Sequence, residues 1–92
     1  MRYHFKLYSA GQSEKSGRAL ENLRKLAKEH LGDDVEIEVV NILENPEKAF
    51  EERILAVPMV VRESPEPKYR ILGDLSDQGR VLHALGINNN QT

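Results

Sequence analysis

ILAVPMVV, residues 54–61, decides the fold. Pro58 divides it and leaves Met59, Val60 and Val61 as the seed of an apolar strand. The Val57-Pro58 bond can sit cis at a cost of about 0.5–1 kcal/mol, and Val57 is pushed to extended backbone by the ring that follows it. Upstream the chain reads as strand, helix, strand and helix. Downstream it reads as a hairpin and a last helix.

Working back from that stretch, Asn45 before Pro46 is a good helix start, since proline at the first helical position forfeits no hydrogen bond. A short helix is expected over residues 47–55, with Ala49, Phe50, Ile54 and Leu55 as its apolar positions. Before it, Val35, Ile37 and Val39 alternate with Glu36 and Glu38, and Val40 and Ile42 extend the run. Charges on the outward positions of this strand suggest a sheet edge. Earlier still, Leu20, Leu23, Leu26, Ala27 and Leu31 fall at helical spacing, between Ser13 as a cap and Gly32 as a stop. Tyr3, Phe5 and Leu7 alternate with His4, Lys6 and Tyr8, so bulky residues lie on both faces and the strand reads as central. A strand, helix and strand joined this way should be parallel with a right-handed crossover.

Working forward, Ser64-Pro65-Glu66-Pro67 is a polar turn, and Tyr69 and Ile71 alternate with Arg70 and Leu72 to complete a hairpin. Asp74 and Asp77 are candidate caps for a helix carrying Val81, Leu82 and Leu85, which Gly86 closes. The predicted class is α/β, a thioredoxin-like βαβαββα with a mixed four-stranded sheet and three helices. One domain is expected over residues 1–87, with a disordered tail at 88–92.

Ninety-two residues suit one small domain. The 13 basic and 15 acidic residues are interspersed, so no basic field grips a phosphate backbone, and nucleic acid is not an expected partner. No apolar run approaches a membrane span and the start has no signal-like pattern, so a cytoplasmic protein without a membrane partner is expected. The chain has no cysteine, which removes disulfides, thiolate nucleophiles and zinc-thiolate sites.

Few motifs carry chemistry. GQSEKSG, residues 11–17, joins a strand to a helix but lacks the spacing and the lysine of a phosphate-binding loop, so helix capping is preferred. Ser13 and Ser16 stand at the spacing of a redox cysteine pair, but a hydroxyl is not a redox couple and no base lies nearby in sequence. His4, His30 and His83 are dispersed, and the acid pairs Asp33-Asp34 and Glu51-Glu52 point apart. No catalytic residue, metal or cofactor is expected.

A resemblance runs in register over residues 3–85. LYSAG at 7–11, Arg18-Ala19-Leu20, NILENP at 41–46, ILAVP at 54–58 and ILGDLSD at 71–77 are similar to the KaiB family of circadian clock proteins. That resemblance implies a non-enzymatic adaptor that binds the N-terminal ATPase ring of the hexameric clock ATPase KaiC. It further implies capture of KaiA and competition with the clock histidine kinase. By position, the KaiC-facing surface maps onto Arg18, Glu52, Arg53 and Ile54, with Arg53 foremost. The KaiA-facing edge maps onto Glu36 and Glu38, where cyanobacterial relatives carry a small residue and a lysine, and this change of charge works against KaiA capture.

The family is also known for a second packing, βαββααβ, usually tetrameric, which two arrangements within a few kcal/mol of each other would permit. Pro58, Pro65 and Pro67 lie in the half that rearranges, together with Ala84, Gly86 and Asn89. Alanine at 84 in place of the family's glycine favours helix by up to about 1 kcal/mol, and the asparagines that follow are poor strand formers. The expectation is a chain at rest in the thioredoxin-like, binding-competent form, as a monomer. The alternative is a thioredoxin-like adaptor or small-ligand carrier outside the clock, for instance in stress signalling, with Ser13 or Ser16 holding an anion at a helix N-terminus.

Overall fold

In the computed structural model, which describes residues 2–87, the order is β1 (Tyr3–Ser9), α1 (Glu14–His30), β2 (Val35–Asn41), α2 (Pro46–Glu51), β3 (Met59–Ser64), β4 (Tyr69–Leu72) and α3 (Gln78–Ala84). This is the expected βαβαββα. The sheet order is β2-β1-β3-β4. Strand β1 pairs with β2 in parallel, Tyr3 opposite Val35 and Leu7 opposite Val39, and with β3 antiparallel, Leu7 opposite Val60. It is thus central and β2 is an edge, as the alternation of Tyr3 to Tyr8 and the outward glutamates implied. The Val57-Pro58, Ser64-Pro65 and Glu66-Pro67 bonds are cis.

Two helices cover one face of the sheet. The main core joins Phe5, Leu7, Val60 and Ile71 of the strands to Ala19, Leu23 and Leu26 of α1 and to Val81, Leu82 and Leu85 at α3. Truncating one such leucine to alanine typically costs 2–5 kcal/mol. Ser13 caps α1 by accepting from the Ser16 amide at 3.1 Å. Asp77 caps α3 in the same way for Arg80, while Asp74, the other candidate, accepts from the Ser76 amide ahead of the helix. Residues 81–87 form the end of α3 and its stop, with no strand character, whereas Asn89 and the tail at 88–92 lie outside the described residues.

The other face carries a smaller core of Tyr8, Val40 and Val61, with Ile42, Ile54, Val57 and Met59 packed on it. Helix α2 stops at Glu51 instead of running to Leu55, and none of its residues is buried. Phe50 and Leu55, two of the apolar positions of the expected helix, are 84% and 94% exposed. The loops flanking α2 supply the apolar cover for Tyr8 and Val61 through Ile42, Ile54 and Val57, so the helix itself has no core to meet.

Candidate functional site

The stop of α2 has left-handed backbone at a non-glycine residue, a conformation that Leu75 also adopts ahead of α3. The Arg53 amide donates to the Phe50 carbonyl at 3.2 Å and the Ile54 amide to the Ala49 carbonyl at 2.9 Å. Those two bonds define a Schellman stop with Arg53 at the position where glycine is usual. Arg53 has φ 56, left-handed backbone that costs an L-residue roughly 1–2 kcal/mol. Residues kept in such a conformation cluster at functional sites.

A second arginine braces this turn from the hairpin. Arg70 of β4 donates from Nη1 to the Arg53 carbonyl at 3.2 Å and from Nη2 to the Glu52 carbonyl at 2.6 Å. The Glu52 carboxylate does not reach outward freely, since Lys68 lies 3.4 Å and Arg70 4.0 Å from it. Lys68 also meets Glu63 at 3.2 Å, and that hydrogen bond, with the negative charge of Glu63, raises its ammonium above the usual lysine range. Burial pushes the Tyr8 phenol up to about 12, with Glu52, Glu63 and Glu38 adding to the effect. Ile54 is half-buried on the small core, so the side chains presented outward around the turn are Phe50, Glu51, Arg53, Leu55 and Ala56.

The predicted residues do not all converge. Glu52, Arg53 and Ile54 form one turn, whereas Arg18 lies in α1 on the opposite layer. There it meets Asp74 at 3.6 Å and Glu14 at 3.9 Å. Hydrogen bonds from Ser76, and the Arg18 charge after them, hold the Asp74 carboxyl below its usual range. On edge strand β2, Glu36 meets Arg2 at 3.7 Å and Glu38 meets His4 at 3.4 Å. Pro58 is buried at the start of β3, Pro65 and Pro67 shape the hairpin turn, and Ala84 ends α3 ahead of Gly86, which has φ 66.

Several residues that the structure brings forward were not singled out in the sequence. Arg70 faces the Glu52 turn because β-alternation puts it opposite Tyr69 and Ile71, and that much was legible. Its long-range partner was not. Arg62, only 4% exposed, donates to the carbonyls of Gly86 at 3.2 Å and Pro67 at 3.1 Å. Asn41 accepts with one side-chain oxygen from the amides of Gly11 and Leu43, tying the loop after β1 to the loop after β2. An asparagine at a strand end gives no sign of which loop it will hold.

The serine pair lines a cavity of about 400 Å³ with Leu7, Leu20 and Val39. Ser13 Oγ is engaged by the Ser16 amide as a helix cap, and Ser16 Oγ is sealed from solvent without a partner. The Ser16 hydroxyl is therefore closed to a ligand in this conformation, whereas Ser13 is exposed with its cap bond made. Among the described residues no group of three His, Asp or Glu side chains converges as a metal site would, and no helix is long and apolar enough to cross a membrane.

A family model described as the KaiB domain matches residues 6–87. The circadian clock protein KaiB3 of Synechocystis is 38% identical over 82 residues, covering 89% of this chain and 80% of that protein. The circadian clock oscillator protein KaiB of Prochlorococcus marinus is 41% identical over 85 residues, covering 92% and 71%. Among solved structures, the N-terminal domain of Synechococcus elongatus SasA superposes with a TM-score of 0.75 at 18% identity over 100% of this chain and 90% of that one. Mitochondrial thioredoxin 3 of Saccharomyces cerevisiae gives 0.70 at 18% identity, over 91% and 76%. The two structural likenesses establish the thioredoxin-like fold.

Proposed function

The chain belongs to the KaiB family of circadian clock proteins, and from that membership we propose that it is a non-catalytic adaptor binding the N-terminal ATPase ring of a KaiC-type hexamer and regulating its phosphorylation cycle. One observation carries this reading. Helix α2 buries nothing, yet the segment around its stop displays Phe50 and Leu55 on either side of a left-handed Arg53. Large apolar side chains held this far out of the core mark an interaction surface, and arginine among aromatic and aliphatic neighbours is typical of the residues that dominate binding energy. The matching partner surface is an apolar groove with a carboxylate at its rim.

Within this reading Arg53 contacts the ring, Ile54 anchors the turn to the small core, and Glu52 braces it through Lys68 and Arg70. Arg18 belongs to a second, separate patch. The protein acts as a cytoplasmic monomer in the form described, competing with a clock histidine kinase for the ring, while Glu36 and Glu38 weigh against KaiA capture.

Co-elution with the isolated N-terminal ring tests it. The expected result is prompt binding by the wild type, weakened about tenfold or more by Arg53→Ala. No binding, or equal binding by the variant, would overturn the assignment of this turn.

A further inference from the structure

We propose that Arg70 is the positioning residue that builds the partner-facing turn, so that the surface is complete only when β4 lies in place beside β3. The inference rests on the reading of the Arg53 turn as that surface. Two peptide planes meet at Arg53. The Glu52 carbonyl lies in the first and the Arg53 carbonyl in the second, and both accept from the one guanidinium of Arg70 at 2.6 and 3.2 Å. Fixing both planes fixes φ and ψ of the residue between them. One side chain therefore specifies a backbone conformation that sequence preference alone opposes.

The chemistry suits arginine and no other side chain. A rigid fork of donors satisfies two carbonyls at once, whereas a lysine ammonium on a flexible stem is a single point charge. A cation here also meets the negative end of α2, and the Glu52 carbonyl is one of those freed where the helix stops. The Glu52 carboxylate, 4.0 Å from Arg70 Nη2 and 3.4 Å from Lys68, keeps the guanidinium over the turn. Arg70 sits opposite Val61 in the β3–β4 ladder, 17 residues from Arg53 in sequence. The hairpin and the turn are thereby one mechanical unit: if β4 leaves β3, both carbonyls lose their donor.

Amide hydrogen exchange in the full chain tests this without reference to any partner. The Ile54 amide, bonded to the Ala49 carbonyl at 2.9 Å, reports the turn, and Leu7 in β1 reports the fold as a whole. Arg70→Ala is expected to lower Ile54 protection about tenfold with Leu7 unchanged, and Arg70→Lys to fall between. In an Arg53→Gly background, where left-handed backbone needs no help, Arg70→Ala should move Ile54 less than about twofold. Unchanged Ile54 protection in Arg70→Ala, or an equal loss in the glycine background, overturns the proposal. Should Arg70→Ala lower Leu7 protection as well, Arg70→Lys supplies the decisive comparison.

Ring binding is read separately, with Arg53 intact in Arg70→Ala, and should weaken about tenfold. Loss of Ile54 protection with undiminished ring binding overturns the link to the partner surface. If the wild type fails to bind the ring, the proposed function fails, and the exchange cycle still decides whether Arg70 sets the turn.

Discussion

Tyr8 lies in the small core beside α2, 1% exposed, and its phenol is raised from 10.0 to about 12, first by burial and then by Glu52, Glu63 and Glu38. Between those two values the native state keeps a proton that the unfolded chain has released. Stability from this group is thus fully present below pH 10 and lost as pH rises toward 12, at no more than about 1.4 kcal/mol per pH unit. Urea unfolding at pH 9 and pH 11 should show a smaller fall for Tyr8→Phe than for the wild type, and an equal fall in both would remove Tyr8 as the cause. Arg53 poses the opposite case, a side chain kept where its backbone is disfavoured. Glycine adopts that backbone freely, so Arg53→Gly should leave stability unchanged or raise it by up to about 1 kcal/mol while ring binding drops as in Arg53→Ala. A drop of more than ~1 kcal/mol in the unfolding free energy would show that the guanidinium contributes more to the native state than its backbone costs.

At the scale of elements, α1 was legible because its leucines repeat at helical spacing between a serine cap and a glycine stop, and each signal is local. Helix α2 was misjudged in length because periodicity carries no information about an arginine taking glycine's place in a stop, and that placement rests on Arg70 from a distant strand. The exposure of Phe50 and Leu55, two apolar positions of the expected helix, has a related cause: pattern says which residues can share a face, not whether another segment already covers the core. Of the candidate site, Arg53 was named from the family resemblance and its brace was not. Helix α3 shows how a stop and a tertiary contact combine. Gly86 closes it with φ 66, the Ile87 amide donates to Leu82, and a Cβ at Gly86 would come 2.6 Å from the Tyr69 ring. Gly86→Ala should therefore cost more than about 1 kcal/mol, whereas Gly17→Ala, in α1 with open space around its Cβ, should gain about 0.5–1 kcal/mol. Denaturant titrations of the two variants decide it, and effects of the same sign would contradict this account.

For the molecule as a whole, the elements after Pro58 share the main core and are also tied together by Arg62. This buried cation on β3 donates to the Gly86 carbonyl at the end of α3 and to the Pro67 carbonyl in the hairpin turn, and its guanidinium stands 4.7 Å from the Tyr69 ring and 5.8 Å from that of Tyr3. Strand, hairpin and last helix meet at that single group. The family resemblance implies a second packing, βαββααβ, whose second half reads βααβ instead of the αββα described here, so the contacts of Arg62 with the hairpin and α3 would have to be remade. Replacing it with methionine keeps much of the volume but leaves the two carbonyls without their donor, at a cost of about 1–3 kcal/mol. Both carbonyls that lose their donor, those of Gly86 and Pro67, lie in the second half, so the cost falls chiefly there, although β1 and α1 share the main core with it. Carbon chemical shifts should then show one helical set over Gln78–Ala84 in the wild type, and a second, non-helical set there in Arg62→Met with β1 and α1 unchanged. Strand-like shifts at residues 81–84 of the wild type would mean that the chain rests in the other packing. Uniform loss across all elements of Arg62→Met would mean instead that Arg62 stabilises the domain without selecting between its forms.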